Sequence, residues 1–159
     1  MMLDRSSGLL IGARQVPSPN VDDRPEGMNP EVLVIHAISL PPGEFGGPGV
    51  EQLFGNRLPV EAHPFYREIA DLRVSAHFFV RRDGELVQFA PVYRRAWHAG
   101  HSFCEGRARV NDFSIGIEME GDDDHPFENA QYDTLVALTR ELMAAYPAIT
   151  RYRVYGHSD

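Results

Sequence analysis

Three segments toward the end of the chain constrain its architecture most. Residues 113–120 alternate, with Phe113, Ile115, Ile117 and Met119 on one side and Ser114, Gly116, Glu118 and Glu120 on the other, which is the period of a β-strand. A helix is predicted to open at Glu128 or Asn129 and run through Ala145, with Leu135, Val136, Leu138 and Leu142 on its apolar face. Pro147 ends it, and residues 152–156 read as a further strand. Strand, helix, strand in that order predicts a right-handed parallel crossover and an α/β fold. The crossover would bring Glu118 and His157, which follows Gly156, to neighbouring positions on one sheet.

A second apolar run, Val32-Leu33-Val34-Ile35, delivers His36. Its consecutive apolar residues suit a strand covered on both faces. A Pro- and Gly-rich loop follows over residues 39–49, of the kind that shapes a binding rim. Short helices are predicted over 49–54 and 64–72, the second with Phe65, Ile69 and Leu72 at helical spacing. Residues 74–80 and 85–90 read as strands joined by Arg81-Arg82-Asp83-Gly84, a hairpin signal. Residues 17–30 contain four prolines and read as an irregular lead-in, and residues 92–110 as loop with short turns.

The 159 residues fit one domain with a core of its own. Formal net charge is -8, so no basic field is available to displace counterions from nucleic acid. All fifteen basic residues are arginine, which removes lysine chemistry from this stretch. Cys104 is the single cysteine, so no internal disulfide forms and a reducing compartment fits. The N-terminal residues lack a long apolar core for export, and no run is long enough to span a membrane. A cytoplasmic location is expected.

Strand-end histidines place imidazoles at the rim of a sheet, where open α/β folds keep their chemistry. His36 and His157 stand 121 residues apart, a spacing that is not diagnostic, and a strand-end histidine is more often a hydrogen-bonded structural residue than a metal ligand. Glu118 and Glu120 share a strand face, either as proton carriers beside a metal-bound water or as a solvated edge. The aromatic and histidine cluster Trp97-His98-Ala99-Gly100-His101 could stack on a sugar or cap a pocket, or Trp97 could simply cover the hairpin. His77, between Ala76 and Phe78, reads as a satisfied core histidine. Arg73, Arg107 and Arg109 could clamp ligand carboxylates or serve solubility alone.

Together these segments resemble the cytosolic N-acetylmuramoyl-L-alanine amidases of the AmpD type, within the broader zinc amidase and peptidoglycan-recognition fold. The resemblance is carried by Val16-Pro17-Ser18-Pro19-Asn20, Leu33-Val34-Ile35-His36, the specific run from Ile38 to Gly46, Val74-Ser75-Ala76-His77-Phe78, Arg82-Asp83-Gly84, Arg95-Ala96-Trp97-His98-Ala99-Gly100, Asn111-Asp112-Phe113-Ser114-Ile115-Gly116-Ile117-Glu118 and Gly156-His157-Ser158-Asp159. It implies a single domain over residues 1–159, with a mixed central β-sheet flanked by helices and a zinc site at the sheet edge. It further implies His36 and His157 as ligands of Zn2+, Glu118 as catalytic acid/base, and Trp97, Arg73 and Arg109 along a muropeptide groove. The implied reaction is hydrolysis of the amide joining the lactyl group of N-acetylmuramic acid to L-alanine, with the 1,6-anhydro form preferred, by a monomer with no nucleic-acid or membrane partner. Two departures stand out. Ala37 replaces the asparagine usual after the first histidine, and residues 1–159 lack the family's C-terminal lysine and aspartate zinc ligand. Asp159 follows His157 by two residues, but strand geometry would splay its carboxylate away. The alternative expectation is a muropeptide-binding module or truncated form without a complete zinc site.

Overall fold

A computed structural model of the chain describes residues 1–100 and 103–156. In chain order the strands are β1 (Met2–Asp4), β2 (Leu9–Ile11), β3 (Arg14–Gln15), β4 (Val21–Asp23), β5 (Val32–Ile38), β6 (Phe78–Val80), β7 (Leu86–Gln88), β8 (Arg94–Ala96), β9 (Phe103–Cys104), β10 (Arg107–Ala108), β11 (Ser114–Glu120) and β12 (Val154–Gly156). The helices are α1 (Gly49–Phe54), α2 (Pro64–Ile69) and α3 (Asn129–Ala145). Among the described residues none of them is long and apolar enough to cross a membrane.

Among the described residues, six strands form a mixed sheet in the order β12-β5-β11-β6-β7-β3. β12, β5, β11 and β6 run parallel; β6 and β7 are antiparallel and joined by the expected hairpin, where Gly84 takes a φ of +88° that a side chain would resist. The sequence places β12 beside β11, and this is corrected: β5 lies between them. The crossover through α3 skips one position, because β5 fills the slot next to β11 along its full length. The neighbour of Glu118 in register is therefore His36.

Both faces of the sheet are covered. Leu33, Ile115, Ile117 and Met119 pack against Leu138 and Leu142 of α3 and against Leu3 and Leu10 of the β1–β2 hairpin. Phe79 and Val87 face Val50, Leu53 and Phe54 of α1 and Tyr66 of α2. Full burial of a leucine side chain stabilises by roughly 1.5–3 kcal/mol, so Leu138 and Leu142 carry much of the docking of α3. Val136, placed on the apolar face by the sequence, is instead exposed; it lies off the stripe that Leu135, Leu138 and Leu142 make at helical spacing. Gln131 ties the start of α3 to the sheet: its Oε1 accepts from the Glu128 backbone, and its Nε2 donates to the carbonyls of Glu120 and Val80. The predicted strand over 74–80 is regular only from Phe78. Earlier residues bond singly, Ser75 N–H to the Trp97 carbonyl and His77 N–H to the Gly116 carbonyl.

His77 is the core histidine expected. Its Nδ1 accepts the Gly116 N–H at 3.1 Å, so the ring proton sits on Nε2 and is donated to the Arg94 carbonyl at 2.8 Å. With that tautomer the Arg24 guanidinium, 3.4 Å from Nε2, is a neighbouring positive charge and not a donor. Burial first, and Arg24 second, push the His77 pKa from 6.5 down to about 3. The unfolded chain binds a proton there below pH 6.5 that the folded chain refuses, so stability is present at neutral pH and falls with acidification. Going from pH 7 to about 4.5 should remove about 2 kcal/mol through this residue. Urea midpoints followed against pH test it: His77→Gln should be less stable than the parent at pH 7 yet lose less on acidification, and parallel curves would refute the assignment.

Candidate active site

The parallel β5–β11 pair builds the site. Residues at alternate positions face the α1/α2 side: Val34, His36 and Ile38 from β5, and Ser114, Gly116 and Glu118 from β11. A cleft of about 790 Å³ opens there, lined by His36, His98, Glu118 and Ser75, with Leu53, Phe65, Ile69 and Leu72 among its apolar residues. His36 and Glu118 are both buried, at 7% and 8% exposure.

The two glutamates of β11 have opposite surroundings. Glu120 Oε2 accepts the Gly46 N–H at 2.8 Å and Oε1 the Arg82 N–H at 2.9 Å, with Arg81 3.7 Å away. It fastens the Pro-rich loop and the β6–β7 turn to the sheet. Glu118 Oε2 is buried with no hydrogen-bond partner among the described residues. Burial alone pushes its pKa up to about 8, since nothing replaces the lost hydration of the anion. The face shared by the two carboxylates is as predicted, but only Glu118 lines the cleft.

His98 also lines the cleft, and the sequence pattern did not single it out. Its Nδ1 lies 3.0 Å from His36 Nε2 and its Nε2 lies 2.9 Å from Ser114 Oγ. Its ring sits over Gly116, where a Cβ would fall 2.4 Å from the ring; the glycine is required by that approach. The one available signal was its place beside Trp97 in a loop rich in histidine. Among the described residues no group of three His, Cys, Asp or Glu side chains is placed to hold a metal ion.

The other expected site residues are dispersed. His157 lies outside the described residues. Trp97 is half-buried, and its indole N–H donates to Asp22 at 3.2 Å. Asp22 in turn is gripped by Arg95, which holds its carboxyl below the usual range and also bonds Asp112. Arg73 is exposed between Leu72 and Val74 of the cleft wall, and its guanidinium donates to the Ala70 and Leu72 carbonyls. Arg109 is exposed with a left-handed φ of 59°. Arg107 pairs with Glu31 at 2.9 Å and stacks on Phe113. Ala37 is exposed and, although it alternates with His36 along the strand, it too lines the cleft.

The contrast between the glutamates is measurable by denaturation at pH 7. Glu120→Gln sets an amide nitrogen against one of two backbone donors and should lose about 1–3 kcal/mol. Glu118→Gln replaces an unpartnered, neutral acid by a group of the same shape and should stay within about 0.5 kcal/mol of the parent. Equal losses for the two variants would contradict the contrast.

Comparison with known proteins matches this geometry to one group. The N-acetylmuramoyl-L-alanine amidase family, Amidase_2, matches residues 26–159. The 1,6-anhydro-N-acetylmuramyl-L-alanine amidase AmpD of Escherichia coli K12 is 55% identical over 159 residues, covering 100% of this chain and 85% of that protein. AmpD of Salmonella typhimurium LT2 is 58% identical over 152 residues, covering 96% and 81%. A crystal structure of a Se-Met AmpD derivative superposes with a TM-score of 0.95 at 54% identity, covering 99% of this chain and 86% of that one. On the family match over residues 26–159, the identity to these relatives and the superposition, the chain belongs to the N-acetylmuramoyl-L-alanine amidase family.

Proposed function

We propose that this chain hydrolyses the amide between N-acetylmuramic acid and L-alanine in muropeptides, with the 1,6-anhydro form preferred, as part of cell-wall recycling. The observation that carries this reading is the placement of Glu118, a buried carboxyl with an unpartnered oxygen, in register beside His36 on the wall of a cleft. The names of the AmpD relatives support the substrate class.

The residues present fit a zinc ion. Imidazole nitrogen is a preferred zinc donor, and an orphaned buried carboxyl oxygen nearby is what a site awaiting positive charge leaves behind. His36 would hold the metal on the strand side, with His157 as the second imidazole. When bound, zinc polarises the scissile carbonyl and makes its water acidic. Glu118 takes the proton from the attacking water and returns it to the leaving amine of L-alanine. A cationic charge in the cleft draws its pKa down from the value burial imposes. Phe65, Ile69 and Leu72 form an apolar wall of the cleft, and Arg73, between Leu72 and Val74 of that wall, would meet the peptide there, whereas Trp97 and Arg109 would meet sugar and peptide only outside the cleft lining. The site at the sheet edge, the monomeric state and the cytoplasmic setting belong to the same proposal. A pure binding module would have no use for a buried, unpartnered acid, whose burial costs about 1–3 kcal/mol.

Incubation of the chain with 1,6-anhydro-N-acetylmuramoyl-tripeptide, followed by mass spectrometry, tests the reading. Free tripeptide should appear, stop after chelation and resume with added zinc. Glu118→Gln should keep its zinc and lose about 10²–10⁴-fold in turnover. Parental turnover by that variant would remove Glu118 from the chemistry, and binding without cleavage by the zinc-replete chain would establish the binding module instead.

A further inference from the structure

His98 is held on every side. Its backbone N–H and that of Ala99 both donate to Asn111 Oδ1, at 3.2 and 3.0 Å. Its ring lies over the bare backbone of Gly116, with no room for a methyl group between them. Its two nitrogens meet His36 Nε2 at 3.0 Å and Ser114 Oγ at 2.9 Å. The His36 and His98 rings are set edge-on, centres 5.1 Å apart and planes at 72°. An imidazole fixed in position, tilt and both ring contacts is built to act on its neighbour.

The chain of contacts has two possible polarities, and the chemistry of His36 chooses between them. If Ser114 donates to His98 Nε2, then His98 Nδ1–H donates to His36 Nε2 and the His36 proton is forced onto Nδ1. Neither His36 nitrogen then presents a lone pair away from the relay. If instead His98 Nε2–H donates to Ser114, His98 Nδ1 accepts from His36 Nε2–H and His36 Nδ1 carries the lone pair. Only this direction leaves His36 able to bind a metal while keeping the contact. The separation of 3.0 Å is a hydrogen-bond length. It is shorter than the roughly 3.3 Å between two nitrogens that each lie 2.0–2.1 Å from one tetrahedral zinc.

We propose that His98 is the positioning residue for the metal ligand His36: by accepting from His36 Nε2–H and donating to Ser114, it fixes the His36 tautomer and aims Nδ1 at the metal. This rests on the reading of His36 as a zinc ligand. Ser114, whose hydroxyl can donate or accept, takes the acceptor role at the far end, and Gly116 supplies the space in which the ring lies. His98 touches neither substrate nor metal in this scheme and acts through His36.

The test uses histidine 15N NMR on the whole chain, metal-free and zinc-loaded, with zinc affinity taken from competition against a chromophoric chelator. His36 should appear protonated at Nε2 in both states and metal-shifted at Nδ1 in the second, with His98 protonated at Nε2 throughout. His98→Phe should weaken zinc binding about 10–100-fold, the range for loss of a partner that orients a ligand. It should also mix the His36 tautomers. His98→Asn, which keeps an acceptor near the position of Nδ1, should recover most of both. Zinc on His36 Nε2 or on His98 Nδ1, or zinc affinity and tautomer unmoved in His98→Phe, would overturn the proposal. Failure of the parental chain to take up zinc would defeat the metal reading alone; the metal-free spectrum would then decide the relay, with Nε2–H on His36 upholding it and Nδ1–H overturning it.

Discussion

The site depends on the parallel pairing of β5 with β11. Seven residues of each strand lie in register, from Ser114 opposite Val32 to Glu120 opposite Ile38. Parallel strands buried on both faces need apolar residues on one side at least, and Leu33, Ile115, Ile117 and Met119 supply them against α3. The other side is thereby free to differ, and on it His36 and Glu118 become direct neighbours. Neither loop closure nor helix docking could produce that adjacency. Because the side-chain period is two, a slip of β11 by one residue against β5 would turn Glu118 toward α3 and leave His36 without its neighbour.

Polar residues elsewhere hold the surroundings of this pair still. Glu120 binds two backbone donors from different loops, Gln131 joins α3 to two strands, and His77 bonds the β11 backbone at Gly116. Asn20 reaches the Val74 carbonyl and the Asn56 amide. Each of these buried groups is satisfied, as burial demands. Glu118 departs from that rule, and an exception at a cleft wall has functional meaning. The distinction between Glu118 and Glu120 is thus one of partners, since residue type, strand face and burial are shared.

Much of this was legible in the sequence, for reasons that differ by element. The bounds of α1 and α3 follow from local signals: helical spacing, Glu128 or Asn129 at the start of α3, Pro147 after its end. The hairpin follows from Asp83-Gly84. The order of the strands was not legible, because which strand fills the slot beside β11 is decided by the whole sheet; hence β12 falls one place away from where the crossover alone would put it. The β1–β2 hairpin and the β4–β8 pair were missed because strands of three residues leave little periodicity. His36 and Glu118 could be named from their strands, yet their adjacency came only with the register. His98 could not be chosen, since its role rests on three contacts from residues 13 to 62 positions away.

Strand β11 shows how one segment meets conflicting demands. Glycine in a strand interior costs roughly 0.5–1 kcal/mol relative to alanine, and a buried carboxyl without a partner costs more. Ser114, Gly116 and Glu118 bring one small hydroxyl, one missing side chain and one acid to the same face, none of which a strand prefers. Ile115, Ile117 and Met119, each almost wholly buried on the opposite face, offset those penalties, at roughly 1.5–3 kcal/mol apiece for full burial. The two faces are therefore coupled through the backbone they share: the stability supplied toward α3 is what permits an unsatisfied acid and an open glycine toward the cleft. Weakening the apolar face would not disturb the chemistry directly. It would free β11 to shift against β5, and the adjacency of His36 and Glu118 would be lost before the fold was.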